Sequence, residues 1–178
     1  MIESILDFWF ETLEPEQWFA KDDQLDQQIK EMFEPTYYKI VAGDCEDWEH
    51  TPHGSLAMII VLDQFSRNMF RDNPQAFAED KKALSVSKNA IEKGFDMALD
   101  TEKRRFLYMP YMHSEDKSVH EVAVKLFTDL GNAQTLEYEL KHKAIIDRFG
   151  RYPHRNKILG RTSTAEELEF LEQPNSSF

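Results

Sequence analysis

Apolar residues recur at intervals of three or four along most of this chain, the spacing that brings side chains to one face of an α-helix. The clearest stripe runs from Val119 to Leu130. No alternating strand pattern or Asn-Gly hairpin turn interrupts such stripes in the sequence. The pattern predicts an all-α fold, in which short loops make consecutive helices antiparallel neighbours stacked in pairs.

The run from Leu56 to Leu62 is apolar on all sides, a composition shared by a buried strand and by the centre of a buried helix. The three-to-four spacing continues beyond it through Phe65, Met69 and Phe70. A helix of about four turns is therefore predicted. The predicted core follows this helix and the stripes of the others: Trp9, Leu56, Ile59, Ile60, Leu62, Val122, Leu126 and Ile145.

Capping residues predict where helices begin and end. Ser118 with Glu121 has the spacing of a capping box, in which the first side chain caps the helix and the second reaches back to the cap. Thr164 with Glu167 repeats that spacing. Glycines in positions that end helices are Gly43, Gly94, Gly131 and Gly150.

Prolines and polar segments predict the remaining boundaries. Pro35 predicts the first turn of a separate short helix, because proline is favoured there. Pro110 predicts a kink or a restart inside a helix over 102–113, since it lacks the amide hydrogen. Residues 44–54 are predicted to form a loop, and residues 172–178 a frayed tail.

Length and composition favour one domain over residues 1–178, since 178 residues with 41% hydrophobic content suffice for one core. The formal net charge of −12 disfavours nucleic acid and anionic membranes as partners. Cys45 is the single cysteine and has no internal disulfide partner, which favours a reducing compartment. Neither a secretory signal nor an apolar run near the ~20 residues needed to cross a bilayer is visible. The predicted location is the cytoplasm.

Three motifs together carry a family resemblance. They are the segments 62–68 (LDQFSRN), 108–116 (YMPYMHSED) and 149–156 (FGRYPHRN). With flanking segments over nearly the whole chain, they resemble the bacterial domain of unknown function numbered 924. Ser66 stands where the family usually has proline, and Tyr152 where it usually has phenylalanine. The resemblance implies a compact tetratricopeptide-like fold and supplies no activity.

A basic window extends from Arg148 to Arg161, with four arginines, one lysine and no acid in a chain of net charge −12. One interpretation is that these side chains pair internally with some of the 33 acids. The other is that they bind an anion, because guanidinium groups bind carboxylate and phosphate oxygens in a two-pronged way. The candidate ligand-binding residues are Arg67, Asn68, Arg148, Arg151, His154, Arg155 and Asn156.

Acid/base chemistry is predicted to centre on His113, with Glu115 or Asp63 as the carboxylate that orients it. The structural interpretation of the same residues is an ion pair between Asp63 and Arg67, four positions apart on a helix, with Glu115 at a helix N-terminus. His120 is placed on the polar side of its helix, without a function. The histidines lie far apart and lack a metal-binding spacing, so no metal is predicted and the cofactor stays open.

These observations predict a small helical binding domain for an anionic small molecule or an acidic peptide end. An enzyme acting on a phosphate or carboxylate substrate through His113, and a protein-interaction scaffold, are the alternatives. Residues 63–68, 113–115 and 148–156 are predicted to meet around one partly enclosed polar pocket.

Overall fold

The computed structural model describes residues 1–174 and 176, and within them helix accounts for 74% of the chain and no strand occurs. The all-α prediction is confirmed; the tetratricopeptide-like arrangement stays a prediction. In the described part of the chain the α-helices are α1 Ile2–Asp7, α2 Asp23–Ala42, α3 Pro52–Ile59, α4 Ser66–Met69, α5 Asp80–Glu92, α6 Thr101–Met112, α7 Lys117–Leu130, α8 Ala133–Phe149 and α9 Ala165–Leu171. Two π-helical segments, Phe8–Thr12 and Ile60–Phe65, continue α1 and α3.

The chain divides into two compact units. The first comprises Met1–Arg71 and Gln75–Pro110, and the second comprises Asp72–Pro74 and the described residues from Tyr111 onward. Among the described residues, no helix has an apolar stretch long enough to cross a bilayer.

The core of the first unit is the run from Leu56 to Leu62, in which every side chain is at most 1% exposed. It forms a helix, as predicted, and α1, α2 and α5 pack against α3 and its π-helical continuation. Phe65 stacks on Phe33 of α2 with ring centroids 4.6 Å apart, and Trp9 meets Phe65 edge to face at 5.5 Å. An all-round apolar helix is stable here because it is covered on several sides.

Two boundary predictions in the first unit are wrong. The helix α2 continues through Pro35 instead of restarting there, because Phe33, Thr36 and Tyr37 on either side are buried and hold it against the core. One missing backbone hydrogen bond is tolerated in that setting. The segment predicted as a loop over 44–54 contains a 3₁₀ turn, and α3 already begins within it, at Pro52.

In the second unit α7 and α8 form a helical hairpin. Gly131 ends α7 with φ +77°, a conformation that favours glycine, and Asn132 caps α8 by accepting a hydrogen bond from the backbone nitrogen of Thr135 at 3.0 Å. Asp116 caps α7, so the prediction of Ser118 as the cap is wrong. A carboxylate serves better at a helix N-terminus, and Ser118 donates to it through both its backbone nitrogen and its hydroxyl.

The buried face of α7 differs from the predicted one. Val122 is 42% exposed and Leu126 is half-buried, whereas the other predicted core residues are buried. The stripe is rotated toward His120, so that the buried positions of α7 are Val119, His120, Ala123, Phe127 and Leu130.

The C-terminal helix α9 begins with the predicted capping box. Thr164 accepts a hydrogen bond from the backbone nitrogen of Glu167, and the Glu167 carboxylate accepts one from that of Thr164. In the predicted frayed tail, the hydroxyl of Ser176 donates to the carbonyl oxygen of Leu171 at 3.1 Å. Residues 175, 177 and 178 of that predicted tail lie outside the described residues.

Candidate functional site

Asp63 lies in the first unit, inside the π-helical segment that ends the apolar run, and is fully buried. The guanidinium of Arg67 is 3.3 Å from its Oδ1, and Gln64 donates to its Oδ2 at 2.6 Å. Arg67 also lies 3.1 Å from Asp80. The predicted helical ion pair between Asp63 and Arg67 is therefore present, and it neutralises a carboxylate that would be costly to bury alone.

Asn68 belongs to a second carboxylate cluster of the first unit. Its amide donates to Asp26 Oδ1 at 2.8 Å, and Arg71 donates to both oxygens of the same carboxylate at 2.5 and 2.8 Å. Gln64 and Asn68 thus each donate to a carboxylate, Gln64 to Asp63 and Asn68 to Asp26. The ligand-binding candidates of this unit thus have structural partners.

Glu115 links the 113–115 turn to the basic window within the second unit. Its carboxylate accepts two hydrogen bonds from Arg161, at 2.7 and 2.9 Å, and one from the backbone nitrogen of Tyr152 at 2.8 Å. Burial by itself raises the pKa of Glu115, but these donors outweigh burial and lower that pKa below its ordinary value. Two of the three segments predicted to meet are therefore in contact.

Two further arginines of the window pair with glutamates of α9. Arg151 donates two hydrogen bonds to the carboxylate of Glu167, at 2.6 and 2.8 Å, and one to the carbonyl oxygen of Thr162 at 2.9 Å. The hydrogen bond from Arg151 is the main reason that the pKa of Glu167 is lowered to about 2. Arg148 and Glu166 form a more exposed pair at 2.9 Å. Arg148 and Arg151 are therefore paired internally. The side-chain amide of Asn156, another candidate of the window, donates to the hydroxyl of Ser163 at 3.0 Å.

Tyr152 is fully buried in the second unit, and its hydroxyl donates to the carbonyl oxygen of Met112 at 2.5 Å. The guanidinium of Arg155 lies 4.6 Å from the centroid of its ring. The imidazoles of His154 and His142 are 5.6 and 5.7 Å from that centroid. The ring centroid of His113 lies 6.3 Å from that of His142. These side chains, which we call the Tyr152 cluster, are His113, His142, Tyr152, His154 and Arg155.

His142 is the most strongly perturbed group of the cluster. Its pKa is lowered to about 3, mainly by burial and to a smaller extent by the neighbouring His113, His120 and Arg155. Its Nδ1 lies 2.7 Å from the carbonyl oxygen of Tyr138, which fixes the proton on that nitrogen. His142 is consequently a neutral imidazole near pH 7.

His120 was predicted to lie on the polar side of its helix, and that placement is wrong because the side chain is fully buried. Its Nδ1 is 2.8 Å from Glu139, which is equally buried, and its Nε2 is 2.8 Å from the carbonyl oxygen of Ser114. A nitrogen that faces a carbonyl carries a proton, so His120 and Glu139 share the proton between them. Burial raises the pKa of Glu139, which favours sharing. The signal in the sequence for the burial of His120 was its position on the same helical stripe as Ala123 and Phe127.

No group of three or more histidine, cysteine, aspartate or glutamate side chains suited to a metal ion occurs among residues 1–174 and 176. The paired histidine and glutamate in α7 and α8 are fully buried, so they bind the two helices together. The partly exposed members of the Tyr152 cluster are His113 and His154. These two imidazoles are the ones that a ligand can reach.

Comparison with known proteins places the chain in a family. Residues 5–175 match the family described as bacterial protein of unknown function (DUF924). The chain belongs to this family. Its structure is similar to that of the protein of unknown function ATU0120 from Agrobacterium tumefaciens, with a TM-score of 0.92, 35% sequence identity and 96% of each chain covered. No curated protein matches the chain.

Proposed function

We propose that this DUF924 protein binds an anionic group, a carboxylate or a phosphate, at the Tyr152 cluster. The observation that carries the proposal is that two imidazoles, those of His142 and His154, and the guanidinium of Arg155 surround one buried phenol ring, with the imidazole of His113 next to His142. Glu115, which accepts a hydrogen bond from the backbone nitrogen of Tyr152, is also bound by Arg161. The cluster therefore gathers hydrogen-bond donors and positive charge where an anion is the complementary ligand.

The chemistry of the cluster supports an anion of either kind. A neutral imidazole carries one N–H, which in His142 is taken by the carbonyl oxygen of Tyr138, and a protonated imidazole carries a second N–H and a positive charge. The guanidinium of Arg155 lies over the ring of Tyr152, and this contact restricts its orientation before a ligand arrives. A bound anion also relieves the repulsion that lowers the pKa of His142, so binding and protonation of His142 favour each other.

A second candidate function uses the same residues. His113 is partly exposed and lies at the edge of the cluster, where it is placed to exchange a proton with a bound phosphate or carboxylate substrate. Glu115, its predicted orienting partner, is held instead by Arg161 and Tyr152. Hydrolysis of p-nitrophenyl phosphate that is lost in His113→Ala, with phosphate binding retained, would support this function over simple binding.

The test of anion binding is thermal unfolding in inorganic phosphate and in sodium chloride at matched ionic strength. Phosphate at 100 times its dissociation constant adds about 2.7 kcal/mol of stability, which raises the Tm of a domain this size by about 5–10 °C in a saturable way. Arg155→Met keeps an unbranched apolar stem over Tyr152 but removes the charge. Lys157→Met, an exposed neighbour in the same window, is the matched control.

We expect Arg155→Met to lose the phosphate response and Lys157→Met to keep it. His154→Gln provides a second variant should Arg155→Met fail to fold, and it should weaken the response. Phosphate that stabilises no more than chloride would contradict the proposal. Equal losses in Arg155→Met and Lys157→Met would contradict it as well, because that result indicates general attraction to the basic window.

A further inference from the structure

A cleft of about 540 Å³ lies in the first unit beside α1, far larger than a single side chain. Ile2, Leu6 and Phe10 line it from α1 and the π-helical segment that follows, and Trp48 lines it from the 3₁₀ turn before α3. These side chains form an apolar floor. The volume is in the range of sites that take a ligand or several side chains of a partner.

Three carboxylates line the same cleft: Glu3, Asp7 and Glu11. Each is exposed, and none forms an ion pair or a side-chain hydrogen bond with any residue in the described part of the chain. The ammonium of Lys103, which also lines the cleft, lies 3.1 Å from Asp100 and is neutralised there. Unlike Asp26, Asp63 and the glutamates that bind the basic window, these acids form no ion pair within residues 1–174 and 176, although the imidazole of His53 also lines the cleft.

The apolar and the acidic side chains of the cleft form two parallel rows. Ile2, Leu6 and Phe10 recur every fourth residue, and the acids recur every fourth residue one position further along. Four residues advance about 6 Å along a helix, so each row covers about 12 Å, or two turns. An apolar row beside an acidic row is the complement of a helix that carries an apolar stripe next to a row of lysine or arginine.

We infer that this cleft docks a basic amphipathic helix of another protein. The apolar stripe of that helix packs on Ile2, Leu6, Phe10 and Trp48, and its basic row pairs with the three carboxylates. Charge complementarity identifies the occupant, because a surface with unpaired carboxylates in a chain of net charge −12 repels phosphate-bearing partners. The inference concerns the first unit alone and is independent of anion binding at the Tyr152 cluster.

The probe is a fluorescein-labelled synthetic peptide of leucine and lysine, about 15 residues long, with the two residue types segregated on opposite helical faces. A scrambled peptide of the same composition has the same charge without an apolar stripe. Binding is followed by fluorescence anisotropy with the full chain. We expect the amphipathic peptide to bind at least about tenfold more tightly than the scrambled one.

Two triple variants separate the cleft from general electrostatic attraction. Glu3→Gln/Asp7→Asn/Glu11→Gln neutralises the cleft and should weaken peptide binding by about tenfold or more. Asp44→Asn/Asp129→Asn/Glu169→Gln removes the same charge from exposed positions elsewhere and should change it by less than about twofold. Ile2→Ser tests the apolar floor and should also weaken binding.

Three results would overturn the inference. The scrambled peptide binding as tightly as the amphipathic one would show that no apolar stripe is recognised. Equal losses in the two triple variants would show that net charge alone attracts the peptide. An Ile2→Ser variant that folds, as shown by circular dichroism, and binds like the wild type would exclude the apolar floor from the contact.

Discussion

The pairing of Glu167 with Arg151 makes a sharp prediction about pH and stability. Glu167 is 2% exposed and accepts hydrogen bonds from both the guanidinium of Arg151 and the backbone nitrogen of Thr164. Replacing it with glutamine keeps the shape and one acceptor oxygen but removes the charge. The variant Glu167→Gln should therefore be less stable than the wild type wherever the carboxylate is ionised.

The magnitude follows from the pKa of Glu167, which falls from an ordinary 4.5 to about 2 in the folded chain. A shift of that size corresponds to about 3 kcal/mol of preference for the ionised form, so the loss in the variant should be about 2–3 kcal/mol near neutral pH. Between these two pKa values the unfolded chain binds more protons than the folded one. The contribution is thus complete above about pH 5 and is lost as the pH falls toward 2.

The assay is urea unfolding of the wild type and of Glu167→Gln at a series of pH values, followed by far-ultraviolet circular dichroism. Taking the difference between the two proteins cancels the titration of their other shared groups. Glu169→Gln is the control, because Glu169 lies on the same helix, is exposed and should give a difference near zero at every pH. A difference between wild type and Glu167→Gln that stays constant from pH 7 to pH 3 would refute the reasoning.

Other substitutions test the packing. Gly54→Ala should destabilise the chain by about 1–3 kcal/mol despite the better helix propensity of alanine, because the added Cβ would lie 2.2 Å from the carbonyl oxygen of Trp48; chemical unfolding measures the loss. Leu62→Ala should lower the free energy of unfolding by about 2–5 kcal/mol and Val122→Ala by less than about 0.5 kcal/mol. Equal losses would mean that the buried face of α7 is misassigned. Tyr152→Phe should cost about 1–3 kcal/mol in the same assay, since it leaves a buried carbonyl oxygen without its donor, and an unchanged stability would contradict that hydrogen bond.

The helices were predictable from the sequence because their signals are local. Apolar spacing identified α3 and α7, and Gly131, Gly150 and the capping box of α9 marked boundaries that the structure confirms. The errors arose where the tertiary environment overrides a local preference. Burial on both sides of Pro35 outweighs the preference of proline for a first turn, and Asp116 outcompetes Ser118 as a cap.

The candidate site was predictable only in part, because side-chain partners are not encoded by spacing. The helical pair of Asp63 and Arg67 was accessible, since its members lie four residues apart. Arg161 and Glu115 are 46 residues apart, and 33 acids were available to choose from. His120 is buried because the buried face of α7 is rotated by about one position from the predicted one. The apolar stripe has Val122 at its edge, so the stripe alone does not determine that rotation.

The protonation of His142 tests the central claim, that the Tyr152 cluster binds an anion, most directly. Nuclear magnetic resonance of the ring nitrogens reports the pKa of this imidazole, first in chloride and then in phosphate at matched ionic strength. In chloride the ring should stay neutral down to about pH 4, because burial, with smaller contributions from His113, His120 and Arg155, lowers the pKa to about 3. Phosphate bound at the cluster should raise that pKa by at least about one unit, since an opposite charge nearby favours the protonated ring. A pKa of His142 that is the same in phosphate and in chloride would contradict the claim.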